Sequence, residues 1–223
     1  MGQVLLVRHG QASWGSADYD VLSESGWEQS RLLGEALAAR GVEPTLVVHG
    51  TMRRHRETAE AAREGLATPE HVVDEGWDEF DHLAMLAAVP SPFEGREPSR
   101  AEFQSWFEES TNRWTGGEHD ADYDEPFTGF TERVAGALRR TAEAAGSGTA
   151  VVFTSGGPVS WAASSLVGAE LDQPGRVLLW RRLNPVCVNS GVTKVVTGSR
   201  GLTLVSFNEH THLEQTPELL TYR

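Results

Sequence analysis

Val4-Leu5-Leu6-Val7-Arg8-His9-Gly10 decides how this chain is read. Four apolar residues, two of them β-branched, run without a break into an arginine, a histidine and a glycine. That is the pattern of a strand buried on both faces that stops at a polar turn. In open α/β sheets ligands sit beyond the carboxyl ends of the strands, so Arg8 and His9 would set a fixed cation beside a tunable imidazole at such an edge. Gly10 would let the backbone turn there and a ligand approach closely. A tripeptide is short enough to arise by chance, and a strand-end histidine is often only a hydrogen-bonded core residue. The reading therefore depends on what the rest of the chain brings to the same edge.

Immediately after it, residues 11–19 are rich in Ser, Gly and Asp and read as a loop over the site. Ser25-Gly26-Trp27-Glu28 matches a capping box, and Trp27, Leu32, Leu33, Ala36 and Leu37 mark one face of a helix that Gly41 and Pro44 end. The helix should run for about 15 residues. Thr45-Leu46-Val47-Val48-His49 is a second buried strand, and Gly50-Thr51 opens a helix carrying Met52-Arg53-Arg54-His55-Arg56-Glu57-Thr58-Ala59. Alternating strands and helices imply parallel strands joined by crossovers. Arg53, Arg54 and Arg56 crowd the first turns of that helix, where the dipole disfavours cations. They form either a solvated face paired with Glu57 and Glu60, or an anion site in which helix amides and a guanidinium meet one phosphate.

Farther along, His71-Val72-Val73 is a short strand leading into an acidic run from Asp74 to Asp81 that is interrupted by Trp77 and Phe80. Carboxylates beside aromatics are the ones whose pKa values can rise. From about residue 90 to 126 the composition shifts to Pro, Glu, Arg, Trp and Gly, with an amphipathic stretch from Ser99 to Trp114 bearing Phe103, Trp106 and Phe107. The expectation is a helical cap insertion at about 84–126 that touches the substrate. Phe130 to Ala145 is a further helix ended by Gly146, and Thr149 to Phe153 a further buried strand. Thr154-Ser155-Gly156-Gly157-Pro158 then turns into a helix and leaves amides available to an anion, with Ser155 either at that site or acting only as the helix cap. Val186 to Val196 and Leu202 to Phe207 read as two last strands paired through residues 197–201. The whole is expected to be one α/β domain over 1–223, a three-layer α/β/α sandwich on a mostly parallel central sheet.

Composition narrows the partners. With 19 basic against 32 acidic residues and a formal charge of -13, the chain lacks a nucleic-acid footprint and any general attraction to anionic lipid. An anionic substrate must be drawn in locally. Cys187 is the single cysteine, which leaves no internal disulfide and no cysteine-rich zinc site and suits a reducing compartment. No export signal or membrane-length apolar run is apparent, so a cytoplasmic location is expected. His210 and His212 would share a face if both lay on a strand, the one arrangement that could hold a metal, with Glu209 and Glu214 nearby. The alternative is that one of them packs on the sheet or lines the site, and no metal is expected.

Three strand ends thus bring together Arg8 and His9, the arginine helix, and Thr154-Ser155-Gly156-Gly157. Over nearly its whole length the sequence resembles the histidine phosphatase superfamily, the phosphoglycerate mutase-like proteins. Arg8-His9-Gly10 is similar to the Arg-His-Gly motif whose histidine becomes phosphorylated. Residues 50–59 are similar to a second motif, usually Ser-x-Leu-x-Arg-Ala-x-Gln-Thr-Ala, which puts the second phosphate-binding arginine on Arg54. The acid-base glutamate of the family matches Glu79 best, with Glu75 as the substitute. The family usually has a histidine before a glycine where this chain has Ser155 and Gly156, and mutase-type members tend to have asparagine where it has Gly15. The resemblance implies a metal- and cofactor-independent phosphomonoesterase that acts on a small phosphorylated substrate through phosphohistidine at His9. Arg8, Arg54, Ser155 and Gly156 would bind the phosphate. The alternatives are a phosphomutase that retains a bisphosphate intermediate, and a catalytically weak protein that binds a phosphorylated ligand or inorganic phosphate.

Overall fold

The computed structural model describes residues 2–13, 20–67, 69–93 and 95–222. Gly15 and most of the 11–19 loop lie outside the described residues. The fold is mixed α/β, built on a six-stranded sheet. Its strands are β1 (Gln3–Arg8), β2 (Leu46–His49), β3 (His71–Val73), β4 (Thr149–Thr154), β5 (Val192–Gly198) and β6 (Gly201–Glu209), in the spatial order β3-β2-β4-β1-β5-β6. Pairings among β1, β2, β3 and β4 are parallel, while β5 runs antiparallel to β1 and to β6. Between them the chain forms α1 (Glu24–Ala39), α2 (Arg53–Ala62), α3 (His82–Ala87), α4 (Arg100–Gly116), α5 (Phe127–Ala145), α6 (Gly156–Val167) and α7 (Gln173–Leu183). Among the described residues no helix is long and apolar enough to cross a membrane.

Register is what places the chemistry. Arg8 stands opposite Thr154 and His49 opposite Phe153, so β1, β4 and β2 end side by side and release His9, Ser155 and Gly50 at one edge. Every residue from Val4 to Val7 is buried, as a run of four apolar residues without alternation requires of a strand covered on both faces. Leu5 and Val7 pack with Leu33 and Leu37 of α1, Ala59 and Ala62 of α2, and Val47, Val151 and Phe153 of the neighbouring strands. α6 packs on β1 and β6.

Two compact units can be separated along the chain. The first, Met1–Glu79 with Val134–Arg223, holds the sheet and the strand-end residues; the second is Phe80–Arg133. The second has an aromatic core of its own. Phe80 and Trp114 stack with ring centroids 4.8 Å apart, and Phe127 and Phe130 close on Trp114 at 5.0 and 5.7 Å. The Trp114 indole nitrogen donates to the Glu125 carbonyl at 2.9 Å, which lets so large a ring be buried without an orphaned donor. Ser99 and Glu102 form a reciprocal capping box at the start of α4.

Several local expectations shift. The N-cap of α1 is Ser23 rather than Ser25: its side chain accepts from Gly26 N at 3.1 Å, while its own amide is tied to the Gln11 carbonyl at 2.9 Å. An anchored serine two residues upstream takes the cap, and Ser25 becomes part of the helix. β5 begins at Val192, not at Val186. Asn184–Val186 forms a 3₁₀ turn, Val188 N donates to Asn208 Oδ1 at 2.8 Å, and Ser190 has φ 59, so this segment leaves the sheet. α5 begins at Phe127, ahead of the Phe130 start expected. His210 and His212 do not share a strand face, because β6 ends at Glu209 and His212 lies in a 3₁₀ turn. His210 Nδ1 meets the Asn208 carbonyl at 2.6 Å and His212 Nε2 meets Ser190 Oγ at 2.8 Å.

Candidate functional site

His9 leaves β1 with its amide donating to the Thr154 carbonyl at 2.7 Å and with its carbonyl accepting from Asn189 Nδ2 at 3.0 Å. The residue is 5% exposed. Nδ1 lies 2.7 Å from the Gly10 carbonyl, and since a carbonyl only accepts, Nδ1 carries the proton. A neutral His9 therefore presents the Nε2 lone pair. Burial first, then Arg54, Arg8 and His55 hold its pKa well below the ordinary imidazole range, against a raising pull from the Gly10 carbonyl. Gly10 also meets a packing requirement. A Cβ there would lie 2.3 Å from the Gly26 carbonyl, so this glycine admits the first turn of α1. Its amide donates to Thr58 Oγ1 at 3.0 Å, which ties the turn to α2.

Arg8 is aimed by backbone. Its Nη1 donates to the carbonyls of Cys187 and Tyr222. The Cys187 thiol itself is buried, and burial pushes its pKa up to about 11, so it is an inert core group. Ser190, whose amide donates to the Arg8 carbonyl at 3.0 Å, and Asn189 bracket the end of β1 from the segment before β5. Sequence reasoning missed both, because it reads them as part of the strand from Val186, whereas they lie in the irregular segment between the 3₁₀ turn at Asn184–Val186 and β5.

The three arginines of α2 divide. Arg56 pairs with Glu60 at 3.5 Å with both side chains exposed, the solvated face that spacing allows, while the exposed Arg53 meets the buried Glu57 at 2.6 Å, whose Oε2 accepts from the Leu22 amide. Arg54 alone of the three is buried, at 8% exposure. Its Nη1 meets Asp20 Oδ1 at 2.7 Å, and Asp20 Oδ2 accepts from the Arg53 amide at 2.8 Å. A carboxylate thus lies across the guanidinium and the helix N-terminus, the two kinds of donor that serve an oxyanion.

Glu79 and Glu75 also part. Glu79 is half-buried and its Oε2 accepts from the Gly157 amide at 3.0 Å, at the first turn of α6, whereas Glu75 is exposed in a 3₁₀ turn. Gly156 is buried beside Arg8, where an added Cβ would lie 3.5 Å from Arg8 Nε. Ser155 occupies the N-cap position of α6, but its side chain makes no capping hydrogen bond. Instead its Oγ lies 2.7 Å from Nε2 of His55, a fully buried imidazole whose centroid is 5.8 Å from that of His9. Sequence reasoning missed His55 as well. The signal was present: in the motif quoted above, the position of His55 is usually alanine. Among the described residues there is no cluster of three or more His, Cys, Asp or Glu side chains arranged to hold a metal ion.

A 2,3-bisphosphoglycerate-dependent phosphoglycerate mutase of Maricaulis maris is 37% identical over 97 residues, 40% of this chain and 40% of that relative's length. A Bacillus stearothermophilus protein, YhfR, superposes with a TM-score of 0.69 at 23% identity, over 96% of this chain and all of its own. A phosphoserine phosphatase variant of Entamoeba histolytica, in complex with phosphoserine, gives a TM-score of 0.67 at 17% identity over 96% of this chain and 100% of its own. At those identities the two structures speak for the fold alone. The model of the histidine phosphatase superfamily (branch 1) matches residues 4–210, and on that match the chain belongs to this superfamily.

Proposed function

We propose that the protein is a phosphomonoesterase that passes the phosphoryl group of a small phosphorylated substrate to His9 and then to water. The observation that carries the reading is the His9 ring: Nδ1 is fixed on the Gly10 carbonyl at 2.7 Å, and cationic Arg8 and Arg54 add to burial in keeping the ring neutral. A phosphate monoester dianion is a poor electrophile until its charge is neutralised. Arg8 and Arg54 would clamp its oxygens, with the Ser155-Gly156 turn completing the phosphate site, while His9 Nε2 attacks phosphorus in line with the leaving oxygen. The P–O bond to the substrate breaks as the P–N bond forms. Glu79 gives a proton to the leaving alkoxide, then takes one from water, whose oxygen displaces His9 and releases inorganic phosphate. The chemistry uses no metal or cofactor.

The test is a panel of phosphorylated metabolites and an aryl phosphate, read by release of free phosphate, with acid-labile, base-stable phosphoenzyme trapped during turnover. Phosphate release without such an intermediate would reject His9 as nucleophile. Inactivity on the whole panel, with inorganic phosphate still bound, would favour the ligand-binding reading. Turnover that depends on added bisphosphate would favour a mutase.

A further inference from the structure

His55 is a buried titratable group at the site that the mechanism above leaves unused. Its ring bridges two elements: Nε2 is 2.7 Å from Ser155 Oγ at the end of β4, and Nδ1 faces Asp78 Oδ1 at 3.9 Å. Nδ1 is buried with no hydrogen-bond partner among the described residues. Asp78 is held in place by the Thr51 amide, which donates to Oδ1 at 2.6 Å. Gly50 makes the room, since a Cβ there would lie 2.4 Å both from His55 Nδ1 and from Asp78 Oδ1. Measured against the motif, Gly50 stands where serine is usual, His55 where alanine is usual and Ser155 where histidine is usual. Three departures, from two distant stretches, meet around one imidazole.

We propose that His55 is a positioning residue that takes up one proton when a phosphate dianion binds and, through Ser155, turns a hydroxyl donor toward that anion. The proposal rests on the phosphoryl-transfer reading for its ligand. Without the anion, the Asp78 carboxylate favours the proton on Nδ1, so the Ser155 hydroxyl donates to Nε2 and has nothing to offer outward. One proton from solvent added at Nε2 reverses the bond. Nε2–H then donates to Ser155 Oγ, whose own hydrogen is released to the phosphate oxygen. No heavy-atom bond changes and one proton enters per anion bound. Burial, Arg54 on the same helix and His49 at the end of β2 all oppose charging this ring, His9 at the end of β1 faces it, and its pKa lies well below the ordinary imidazole value. Asp78 and an incoming dianion oppose them in turn. The cation that a serine cannot supply is thereby recovered from α2.

Sulfate is the probe, because it stays dianionic across the neutral range and any proton must land on the protein. In ring-¹⁵N-histidine protein held above the ordinary imidazole value, the resonances absent from His55→Gln should pass from neutral to doubly protonated as sulfate saturates, and Ser155→Ala should weaken that passage. In turnover, His55→Gln and Ser155→Ala should each lower kcat by about ten- to a hundredfold, with the double variant little worse than either. The exchange His55→Ala with Ser155→His should recover turnover above both single variants, with thermal melting used to confirm folding. Sulfate bound with His55 still neutral, or kcat of His55→Gln equal to wild type, overturns this proposal alone. No phosphate release by wild type from any substrate overturns the phosphoryl-transfer reading instead, and the resonance measurement then still decides whether His55 answers an anion.

Discussion

The ends of β1 and β4 lie side by side, in register at Arg8 and Thr154, and each passes into a glycine-containing turn. They carry their chemistry differently. At β1 the chemistry is consecutive: cation, imidazole and turn are residues 8, 9 and 10, and the ring is fixed by the next residue's carbonyl. At β4 it is borrowed. Ser155 leaves the cap of α6 unmade and bonds to an imidazole 100 residues earlier in the chain. A strand end that is complete in itself can be read from sequence. One completed by another element shows itself in sequence only as a departure from pattern.

The sharpest way to break the comparison is His9→Ala. Its apolar neighbours Val4 to Val7 carry the packing of β1, so the variant should fold with near-normal melting and lose turnover by about four powers of ten or more. A folded variant with normal phosphate release would remove the β1 end from the mechanism. Arg54→Ala comes next, with an expected loss of about two to three powers of ten from the missing charge. Arg53→Ala and Arg56→Ala, whose partners Glu57 and Glu60 lie on the same helix, should each cost less than about fivefold. Steady-state rates of the three variants order them, and a larger loss at Arg53 or Arg56 would reassign the clamp.

Glu79→Gln sharpens the contrast within the acidic run. It should slow alkyl phosphates by about a hundredfold and an activated aryl phosphate far less, since a phenolate leaves with little help. Equal losses would make the bond from the Gly157 amide to Glu79 a structural tie. A leaving-group-dependent loss at Glu75 would move the acid there.

What the sequence revealed follows the same division. The buried apolar runs at Val4 to Val7, Val47 to Val48 and Ala150 to Phe153 announced a mostly parallel sheet, because strands covered on both faces lack the alternation of half-exposed ones. The hairpin of β5 and β6 was legible from its turn residues. Asn189 and Ser190 were not, since each acts on a residue remote in sequence and both fall in a stretch that reads as strand, and His55 shows only as a departure from the motif. The capping serine was misplaced by two residues because Ser23 and Ser25 are locally equivalent. The ties of the Ser23 amide and hydroxyl to Gln11 distinguish them.

Gly50→Ala tests whether the borrowed imidazole needs its space. The new Cβ falls 2.4 Å from His55 Nδ1, so the ring or Asp78 must move, at a cost of about 1 to 3 kcal/mol of stability by chemical denaturation. Turnover should fall as it does for His55→Gln. An unchanged melting curve and unchanged kcat would mean that the imidazole is not held where the bond to Ser155 requires.

The smallest effect expected is on stability against pH. Burial, with Arg54 and His49, holds the His55 pKa well below 6.5, so as pH falls through 6.5 the unfolded chain gains a proton that the folded chain refuses. Stability contributed by the neutral ring is therefore present in full above that value and is lost progressively below it, because the unfolded state binds more protons. His55→Gln should make the acid limb of the denaturation profile shallower without changing its slope above 6.5, while His9, lowered in the same sense, keeps part of the limb in both proteins. Saturating sulfate should shrink the difference between wild type and variant, because a His55 that accepts its proton in the folded state no longer favours the unfolded one. Parallel acid limbs for the two proteins in the absence of sulfate would show that burial beside Arg54 and His49 does not hold the His55 pKa down.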